Sequence, residues 1–173
     1  CWISFAPVPS SSPPEEAKEL ACLVLFTPFF FHDLFLFISA PPNSGKDIAA
    51  NYIGDVHGAT HLRFKDQLYS YAAKFAGISF DTMYRVANDR NLKEIPCTMF
   101  RIGDEWVSPR QWLIHCSENI IKPLCGKSFF GECVAETIRT TDNERFVISD
   151  GGFIEELLPL QKEFDVKVIH LHR

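Results

Sequence analysis

The sequence predicts an α/β domain of three layers, α/β/α, in which helices cover both faces of a mostly parallel sheet. Short apolar runs at 34–39, 145–150 and 166–171 have the composition of buried strands. Segments of helical period lie between these runs, and strands that alternate with helices along a chain build parallel sheets. The 173 residues of the chain are enough for one such domain with a substantial core.

The segments between the strands predict a series of helices. Their apolar residues recur at helical spacing, and turn-forming residues separate them. Asp66 is expected to act as the N-terminal cap of the second helix. The helices are predicted at 46–53, 67–75, 80–86, 130–138 and 154–164, with a short additional strand at 61–64.

One further helix has the clearest start signal in the chain. Ser108 is followed by Pro109 and, three residues after the serine, by Gln111. This is the arrangement of a capping box with proline at the first helical position. The helix is predicted to run to about Lys122, where Pro123 is expected to break it.

Residues 1–33 do not fit the alternation of strands and helices. Residues 1–19 are rich in proline and serine and then acidic, which is typical of a flexible leader. Residues 20–31 are strongly apolar, but a proline, a histidine and an aspartate interrupt the run into the first strand, so a membrane anchor is the less favoured alternative. We assign 1–33 to a leader and an accessory or non-native apolar segment, and 34–173 to the folded domain. Because the chain stops directly after a predicted strand, we expect the domain to be cut short at its C-terminus.

The loop after the first strand, 40–47, carries the strongest functional motif. Its Gly45-Lys46 pair lies between a strand and a helix, the context of a phosphate-binding P-loop. In such loops backbone N–H groups and the helix N-terminus hold phosphate, and the lysine reaches the β- and γ-phosphates. The motif is incomplete, because Ala40 replaces the first glycine and Asp47 replaces Ser or Thr. The residues predicted to bind nucleotide are Asn43, Ser44, Gly45, Lys46 and Asp47.

Charge and cysteine content narrow the range of partners. A net charge of −5 gives no electrostatic footprint for a nucleic acid polymer, so nucleotides must be held by local cations. The six cysteines show neither C-x-x-C nor zinc spacing, which favours reduced thiols in a cytoplasmic protein. The predicted partners are therefore small-molecule nucleotides and no nucleic acid polymer, with a membrane as the less favoured alternative.

Four stretches carry a resemblance to a known family. They are Asn-Ser-Gly-Lys-Asp at 43–47, Phe-Lys-Asp-Gln-Leu at 64–68, Ser-Pro-Arg-Gln-Trp-Leu at 108–113 with Gly-Lys-Ser-Phe-Phe-Gly at 126–131, and Phe-Val-Ile-Ser-Asp at 146–150 followed by Phe153 and Glu155 or Glu156. In this order and spacing they resemble the bacteriophage deoxynucleoside monophosphate kinases, a branch of the P-loop nucleotide kinases. The resemblance covers about 34–173, which we therefore assign to a P-loop kinase-like domain. In that family Ser-Gly-Lys-Asp is typical of the loop, so Asp47 looks like a family trait.

The resemblance implies a function and roles for particular residues. The implied reaction transfers a phosphoryl group from ATP to a deoxynucleoside monophosphate with Mg²⁺, in the cytoplasm or in the host cytoplasm if the protein is viral. Kinases of this kind can be dimers. Lys46 would bind the β- and γ-phosphates, Asp47 would lie on the Mg²⁺ side, and Arg110 would grip the acceptor monophosphate, for which a guanidinium is suited. Arg85 and Arg90 are further candidates for substrate binding, or form a solvated face.

Some assignments stay open at the level of sequence. Asp150 follows a predicted strand and would hold a Mg²⁺-bound water, or else cap the helix at 153–164. Trp106 and Trp112 are candidates to stack on a base, but tryptophans in such segments more often belong to the core, which is the favoured interpretation. The family often has arginine where this chain has Gly152. For that reason the alternative function is a nucleotide-binding module with little or no catalysis.

Overall fold

The computed structural model describes residues 34–41, 44–151 and 153–171. The predicted leader and apolar segment at 1–33 and the predicted ligand Asn43 lie outside these residues. The described part contains six strands and six helices. The strands are β1 (Leu34–Ser39), β2 (Thr60–Leu62), β3 (Arg101–Ile102), β4 (Glu105–Trp106), β5 (Arg145–Ile148) and β6 (Val166–His170). The helices are α1 (Lys46–His57), α2 (Phe64–Ala76), α3 (Phe80–Asn88), α4 (the consecutive stretches Pro109–Ile114, His115–Ile121 and Lys122–Cys125), α5 (Phe129–Thr140) and α6 (Ile154–Glu163).

Four of the strands form a parallel sheet in the order β2–β5–β1–β6. Phe35 of β1 lies opposite Phe146 of β5 on one side and opposite Val166 of β6 on the other. On its other edge β5 pairs with β2, where Thr60 lies opposite Phe146. The predicted α/β class with a mostly parallel sheet is therefore confirmed, and each predicted strand is present.

Helices cover both faces of the sheet because successive side chains of a strand point in opposite directions. Leu36 and Ile38 of β1 pack on one face with α1, including Ile53. Phe35 and Phe37 pack on the other face with apolar residues of α2, α5 and α6. The arrangement is compatible with the predicted three layers.

A second, smaller core joins α3, the β3–β4 hairpin and α4 to α2. Phe100 and Met83 are fully buried in it. The Trp112 ring stacks on Phe100 with ring centroids 5.8 Å apart, and its indole N–H donates to the carbonyl of Ala72 at 3.1 Å. Trp112 is thus a core residue, whereas Trp106 in the hairpin is 50% exposed.

The start of α2 differs from the prediction. The helix begins at Phe64 rather than 67, and Asp66 lies inside its first turn instead of capping it. The cap comes from a distant residue, because the Asp150 carboxylate accepts hydrogen bonds from the N–H groups of Phe64 and Lys65. The prediction that Asp66 caps this helix was therefore wrong, and a tertiary contact decides where the helix starts.

The course of α4 is also partly different. The capping box is confirmed, since Ser108 Oγ accepts from Gln111 N–H at 3.2 Å and Gln111 Oε1 accepts from Ser108 N–H at 3.0 Å. The predicted break at Pro123 is wrong. The helix widens into π-helical turns over His115–Ile121, and Lys122 N–H bonds to the carbonyl of Ser117, five residues back. These turns precede a proline that has no N–H to give, and they allow the helix to continue past it.

The β3–β4 hairpin was not predicted. Its two-residue loop is Gly103-Asp104, and Gly103 has a φ of 60°, which a two-residue hairpin requires. A Gly-Asp pair between two short strands is the sequence signal that could have revealed it. Across the described ranges, no helix has both the length and the apolar character needed to cross a membrane.

Candidate functional site

The loops after β1 and β5 meet at one edge of the sheet. These two strands are neighbours, yet the chain leaves β1 for α1 on one face and leaves β5 for α6 on the other. In open parallel sheets such a divergence opens a crevice at the carboxyl ends of the strands, where ligands bind. Gly45, Lys46 and Asp47 follow β1 here, and Ser149 and Asp150 follow β5.

Gly45 ends the loop in a conformation that favours glycine. Its φ is 86°, in the left-handed region, and it is the N-cap of α1 without offering a side-chain cap. Ala49 N–H bonds back to the Gly45 carbonyl at 3.0 Å, and Ser44 N–H bonds to the Pro41 carbonyl at 3.3 Å. The N–H groups at the start of α1 have no acceptor among the described residues, and the Ser44 hydroxyl is buried without a hydrogen-bond partner. An anion at this end of α1 would supply the missing acceptors.

Asp47 is the first residue of a hydrogen-bond chain that crosses three elements. Ser149 Oγ donates to Asp47 Oδ1 at 2.7 Å. Ser149 Oγ is also 2.7 Å from His61 Nε2, and His61 Nδ1 is 2.9 Å from Asn51 Oδ1. Ser149 has no exposed surface, so its hydroxyl depends on these partners. We refer to these four residues as the Asp47 hydrogen-bond chain.

The single hydroxyl proton of Ser149 fixes the direction of this chain. Because that proton goes to Asp47, the Ser149 oxygen must accept from His61, and Nε2 must carry a hydrogen. Burial lowers the pKa of His61, and Arg63 lowers it further, while Asp47 opposes the change. A neutral ring then accepts at Nδ1, so it pairs with Asn51 only when the side-chain amide is turned over and presents Nδ2 in place of Oδ1.

The charges around Asp47 favour its ionised form. Burial by itself raises the pKa of this carboxyl, but the hydrogen bond from Ser149 and the positive charges of Lys65, Arg63 and Lys46 together lower it below the ordinary value. Asp47 is therefore an anion held among cations. Its Oδ2 receives no hydrogen bond from any described residue, which leaves that oxygen for a ligand.

Asp150 fixes the second loop to α2. Its Oδ1 accepts from Phe64 N–H at 2.8 Å and its Oδ2 from Lys65 N–H at 3.0 Å. Burial raises the pKa of Asp150, although these two hydrogen bonds and the charge of Lys65 oppose the rise. The alternative that Asp150 caps the helix at 153–164 is wrong, because α6 begins after Phe153 and has no side-chain cap. The magnesium role of Asp150 stays a prediction.

The arginines predicted to bind substrate lie on the smaller core. Arg110 follows Pro109 at the start of α4, is 61% exposed at its side chain, and pairs with Glu94 at 3.0 Å. Arg85 and Arg90 are exposed in and after α3. None of the three has a contact with Asp47 within the described residues. One hydrogen bond links the sheet edge that carries Asp47 to the smaller core. Arg63 Nη1 donates at 3.2 Å to the hydroxyl of Tyr84, which precedes Arg85 on α3.

A second buried carboxyl, that of Glu156, interacts electrostatically with Asp150. Glu156, in the first turn of α6, is 6% exposed. Burial raises the pKa of Glu156 to about 7, the nearby Lys122 opposes this, and Asp150, Glu118 and Glu155 add to it. Lys122 is held by Glu118 at 2.7 Å and lies over the ring of Phe153. Glu156 is therefore a group that exchanges its proton near neutral pH.

The residues at this edge can take part in a magnesium–phosphate site. Mg²⁺ in nucleotide sites is usually held by one or two carboxylates together with phosphates and water. Asp47 has Oδ2 to offer, and each Asp150 oxygen keeps a lone pair for a coordinated water. Within the described ranges, no group of three or more His, Cys, Asp or Glu side chains could hold a metal ion by itself. Phosphate oxygens would therefore have to complete the coordination.

Five residues of the site were not predicted from the sequence. They are Asn51, His61, Arg63, Lys65 and Ser149. A weak signal existed for two of them, since Arg63 lies in the strand predicted at 61–64 and Lys65 directly follows it. Nothing in the sequence could show that His61 and Ser149, 88 positions apart, share a hydrogen bond.

Comparison with known proteins assigns the chain to no family. No protein-family model matches its sequence, and no curated protein matches it either. What the site does must therefore be inferred from its own residues, their hydrogen bonds and their charges. The strongest features are a lysine and an aspartate at the start of a helix that follows a central parallel strand, and further cations beside them.

Proposed function

We propose that this chain transfers the γ-phosphoryl group of ATP to a deoxynucleoside monophosphate in a Mg²⁺-dependent reaction. The observation that carries the proposal is the place of Lys46 and Asp47. They begin α1 directly after a central parallel strand, at the edge where the chain leaves neighbouring strands toward opposite faces. Open α/β sheets bind their ligands at this point, and a lysine there is suited to phosphate.

Phosphoryl transfer requires positioning and charge neutralisation more than covalent chemistry by the protein. In this proposal Gly45 and the start of α1 hold phosphate oxygens with backbone N–H groups, as Asn43 would before them. Ser44 offers its unpartnered hydroxyl, and Lys46 neutralises the β- and γ-phosphates. Asp47, oriented by Ser149, and Asp150 would hold Mg²⁺, which neutralises charge on the phosphates when bound. These roles make the loop a working P-loop, although its sequence lacks the first glycine.

The acceptor monophosphate is proposed to bind between this edge and the smaller core. Arg110 would take its phosphate, and the exposed Arg85 and Arg90 are the further candidates. The ion pair between Arg110 and Glu94 is exposed at both side chains, and exposed pairs contribute little free energy. A phosphate could therefore displace Glu94 at small cost. Membership of the bacteriophage kinase family, a P-loop NTPase fold and a cytoplasmic location are part of the same proposal.

The test is ADP release from Mg-ATP with dAMP, dGMP, dCMP or dTMP added singly, with Lys46→Ala as the matched variant. The proposal expects ADP that depends on an added monophosphate. Lys46→Ala should lower the rate by at least about a hundredfold while the circular dichroism spectrum is unchanged. Arg110→Ala should mainly raise the KM for the monophosphate.

The same experiment separates the two functions that the sequence left open. Suppose that the wild type binds ATP but neither hydrolyses it nor transfers its phosphoryl group. If Lys46→Ala then fails to bind ATP, the chain is a nucleotide-binding module. If wild type and Lys46→Ala bind ATP equally, the proposed site is wrong. ADP release that ignores the added monophosphate would contradict transfer to a nucleotide acceptor.

A further inference from the structure

The segment that joins β2 to α2 is fixed against the candidate site by its backbone. Leu62 of β2 pairs with Ile148 of β5, so both strands end at the same edge. Directly beyond them, the Phe64 and Lys65 N–H groups donate to the two oxygens of Asp150 at 2.8 and 3.0 Å. Arg63 and Lys65 are therefore held next to the loop that carries Ser149, whose hydroxyl binds Asp47.

The side chains of Arg63 and Lys65 add positive charge beside the Asp47 carboxylate. Lys46, Arg63 and Lys65 all act on the Asp47 carboxylate, yet none of the three forms an ion pair within the described part of the chain. All three are partly buried. The Asp66 carboxyl also acts on Arg63 and Lys65, and Asp150 acts on Lys65, so these cations share nearby carboxylates without a direct ion pair.

The guanidinium of Arg63 also lacks an acceptor on one edge. Its Nη1 donates to the Tyr84 hydroxyl at 3.2 Å, but its Nε is buried and has no hydrogen-bond partner. A buried donor without an acceptor is costly, so a group that supplies one is expected. The Nε–Nη2 edge of a guanidinium matches two oxygens of a phosphate group.

We propose that Arg63 and Lys65 bind a phosphate group of the nucleotide, beside Lys46. The pair constitutes a second phosphate-binding element, supplied by the β2–α2 junction and distinct from the loop after β1. The inference deepens the proposed function, on which it rests for the identity of the ligand. Arg63 contributes a two-pronged contact, and Lys65 contributes a point charge. The phosphate belongs either to ATP or to the monophosphate, and the two are distinguished by experiment.

The test measures binding by calorimetry, without turnover, for ATP and for dTMP separately. The variants are Arg63→Gln, Arg63→Lys and Lys65→Gln. The matched control is Arg139→Gln, an exposed arginine near the opposite edge of the sheet that pairs with Glu136 and Glu163. Arg63→Gln and Lys65→Gln should each weaken binding of one of the two nucleotides by about ten- to a hundredfold. Arg63→Lys should fall between wild type and Arg63→Gln, because it keeps the charge and loses the fork.

The nucleotide whose affinity falls identifies the phosphate that is bound. Unchanged affinity of both nucleotides in folded Arg63→Gln and Lys65→Gln would overturn the inference, and so would an equal loss in Arg139→Gln. If Arg63→Gln does not fold, Arg63→Lys and Lys65→Gln decide by the same criteria. A wild type that binds ATP but transfers no phosphoryl group contradicts only the proposed function, and the variants still test this site. A wild type that binds neither ATP nor dTMP contradicts both.

Discussion

At the scale of single residues, Ser149 determines how Asp47 is presented. A hydroxyl has one proton, and at Ser149 that proton goes to Asp47 Oδ1, while the oxygen accepts from His61. The carboxylate is therefore fixed in one rotation, with Oδ2 directed away from Ser149. A residue with no exposed surface thus sets the orientation of a residue that we propose to act on Mg²⁺.

Ser149→Ala is expected to raise the pKa of Asp47 and to lower stability. The hydrogen bond from Ser149 is the largest influence that lowers this pKa, so its loss shifts the pKa upward. The unpartnered groups on Asp47 and His61 should cost about 1–3 kcal/mol of unfolding free energy. Because a lowered carboxyl pKa stabilises the fold only above the unfolded-state value, the loss should be largest at neutral pH and should shrink as pH falls through the pKa of Asp47.

Urea unfolding at several pH values and a carboxyl NMR titration of Asp47 measure both effects. Ser70→Ala, which removes a half-buried hydroxyl in the middle of α2, is the matched control. An Asp47 pKa that is equal in wild type and Ser149→Ala would contradict the assigned direction of the hydrogen bond.

Glu156→Gln is expected to change how stability depends on pH. Wild-type Glu156 keeps its proton up to about pH 7 in the folded state, whereas in the unfolded chain it ionises near its ordinary value of 4.5. Between these values the folded state binds more protons, so wild-type stability falls as pH rises. Glutamine cannot ionise, so Glu156→Gln does not lose this stability as pH rises. The resulting gain in unfolding free energy over wild type above pH 7 is at most about 3 kcal/mol.

The measurement is the difference in unfolding free energy between Glu156→Gln and wild type at pH 5 and pH 8. The difference should shift in favour of the variant as pH rises. Glu155→Gln, at the neighbouring and less buried position, is the matched control. A difference that does not depend on pH would show that the Glu156 carboxyl is ionised in the folded state at pH 5.

At the scale of elements, sequence patterns were sufficient where an element is determined locally. The capping box at Ser108 and the apolar run of β1 were predicted because hydrogen bonds and periodicity within a few residues decide them. The start of α2 was not predicted correctly, because Asp150 caps this helix from 85 positions away in the sequence. The continuation of α4 through Pro123 was also missed, since an α-helical rule does not anticipate π-helical turns.

The same distinction applies to the candidate site. Lys46 and Asp47 were predicted because they belong to a contiguous motif whose strand and helix could be recognised. His61, Arg63 and Ser149 were missed because only the pairing of β2 with β5 brings their segments together. Arg110 was selected by resemblance and by the fit of a guanidinium to phosphate, and in the structure its guanidinium pairs with Glu94 at the surface. Contacts across the sheet, rather than local pattern, therefore supply the unpredicted part of the site.

Gly131→Ala should be strongly destabilising because α5 and α6 touch at this glycine. A Cβ at position 131 would overlap the backbone carbonyl of Glu156, which is part of a helix and cannot give way as a side chain can. Overpacking of this kind typically costs about 1–3 kcal/mol. Thermal unfolding measures the loss, and Lys162→Ala, at an exposed position of α6, should be nearly neutral. A Gly131→Ala protein as stable as wild type would contradict the close approach of the two helices.

At the scale of the whole molecule, the candidate site joins parts of the chain that are far apart in sequence. The loop after β1, the junction after β2 and the loop after β5 each contribute side chains, and the parallel order β2–β5–β1–β6 brings them to one edge. The smaller core reaches the same edge through the hydrogen bond between Arg63 and Tyr84. A ligand bound there would contact three separate segments of the domain.

ATP should therefore raise the midpoint of thermal unfolding of the domain as one cooperative transition. A ligand at a hundredfold excess over its Kd stabilises the folded state by about 2.7 kcal/mol, which corresponds to roughly 5–10 °C for a domain of this size. The measurement is a calorimetric scan with and without ATP. Lys46→Ala should lose the shift, and Arg139→Gln should keep it. An equal shift in Lys46→Ala would mean that ATP stabilises the protein from another site. If only part of the unfolding enthalpy moves with ATP, the segments around the site do not unfold together, and the ligand does not bridge them.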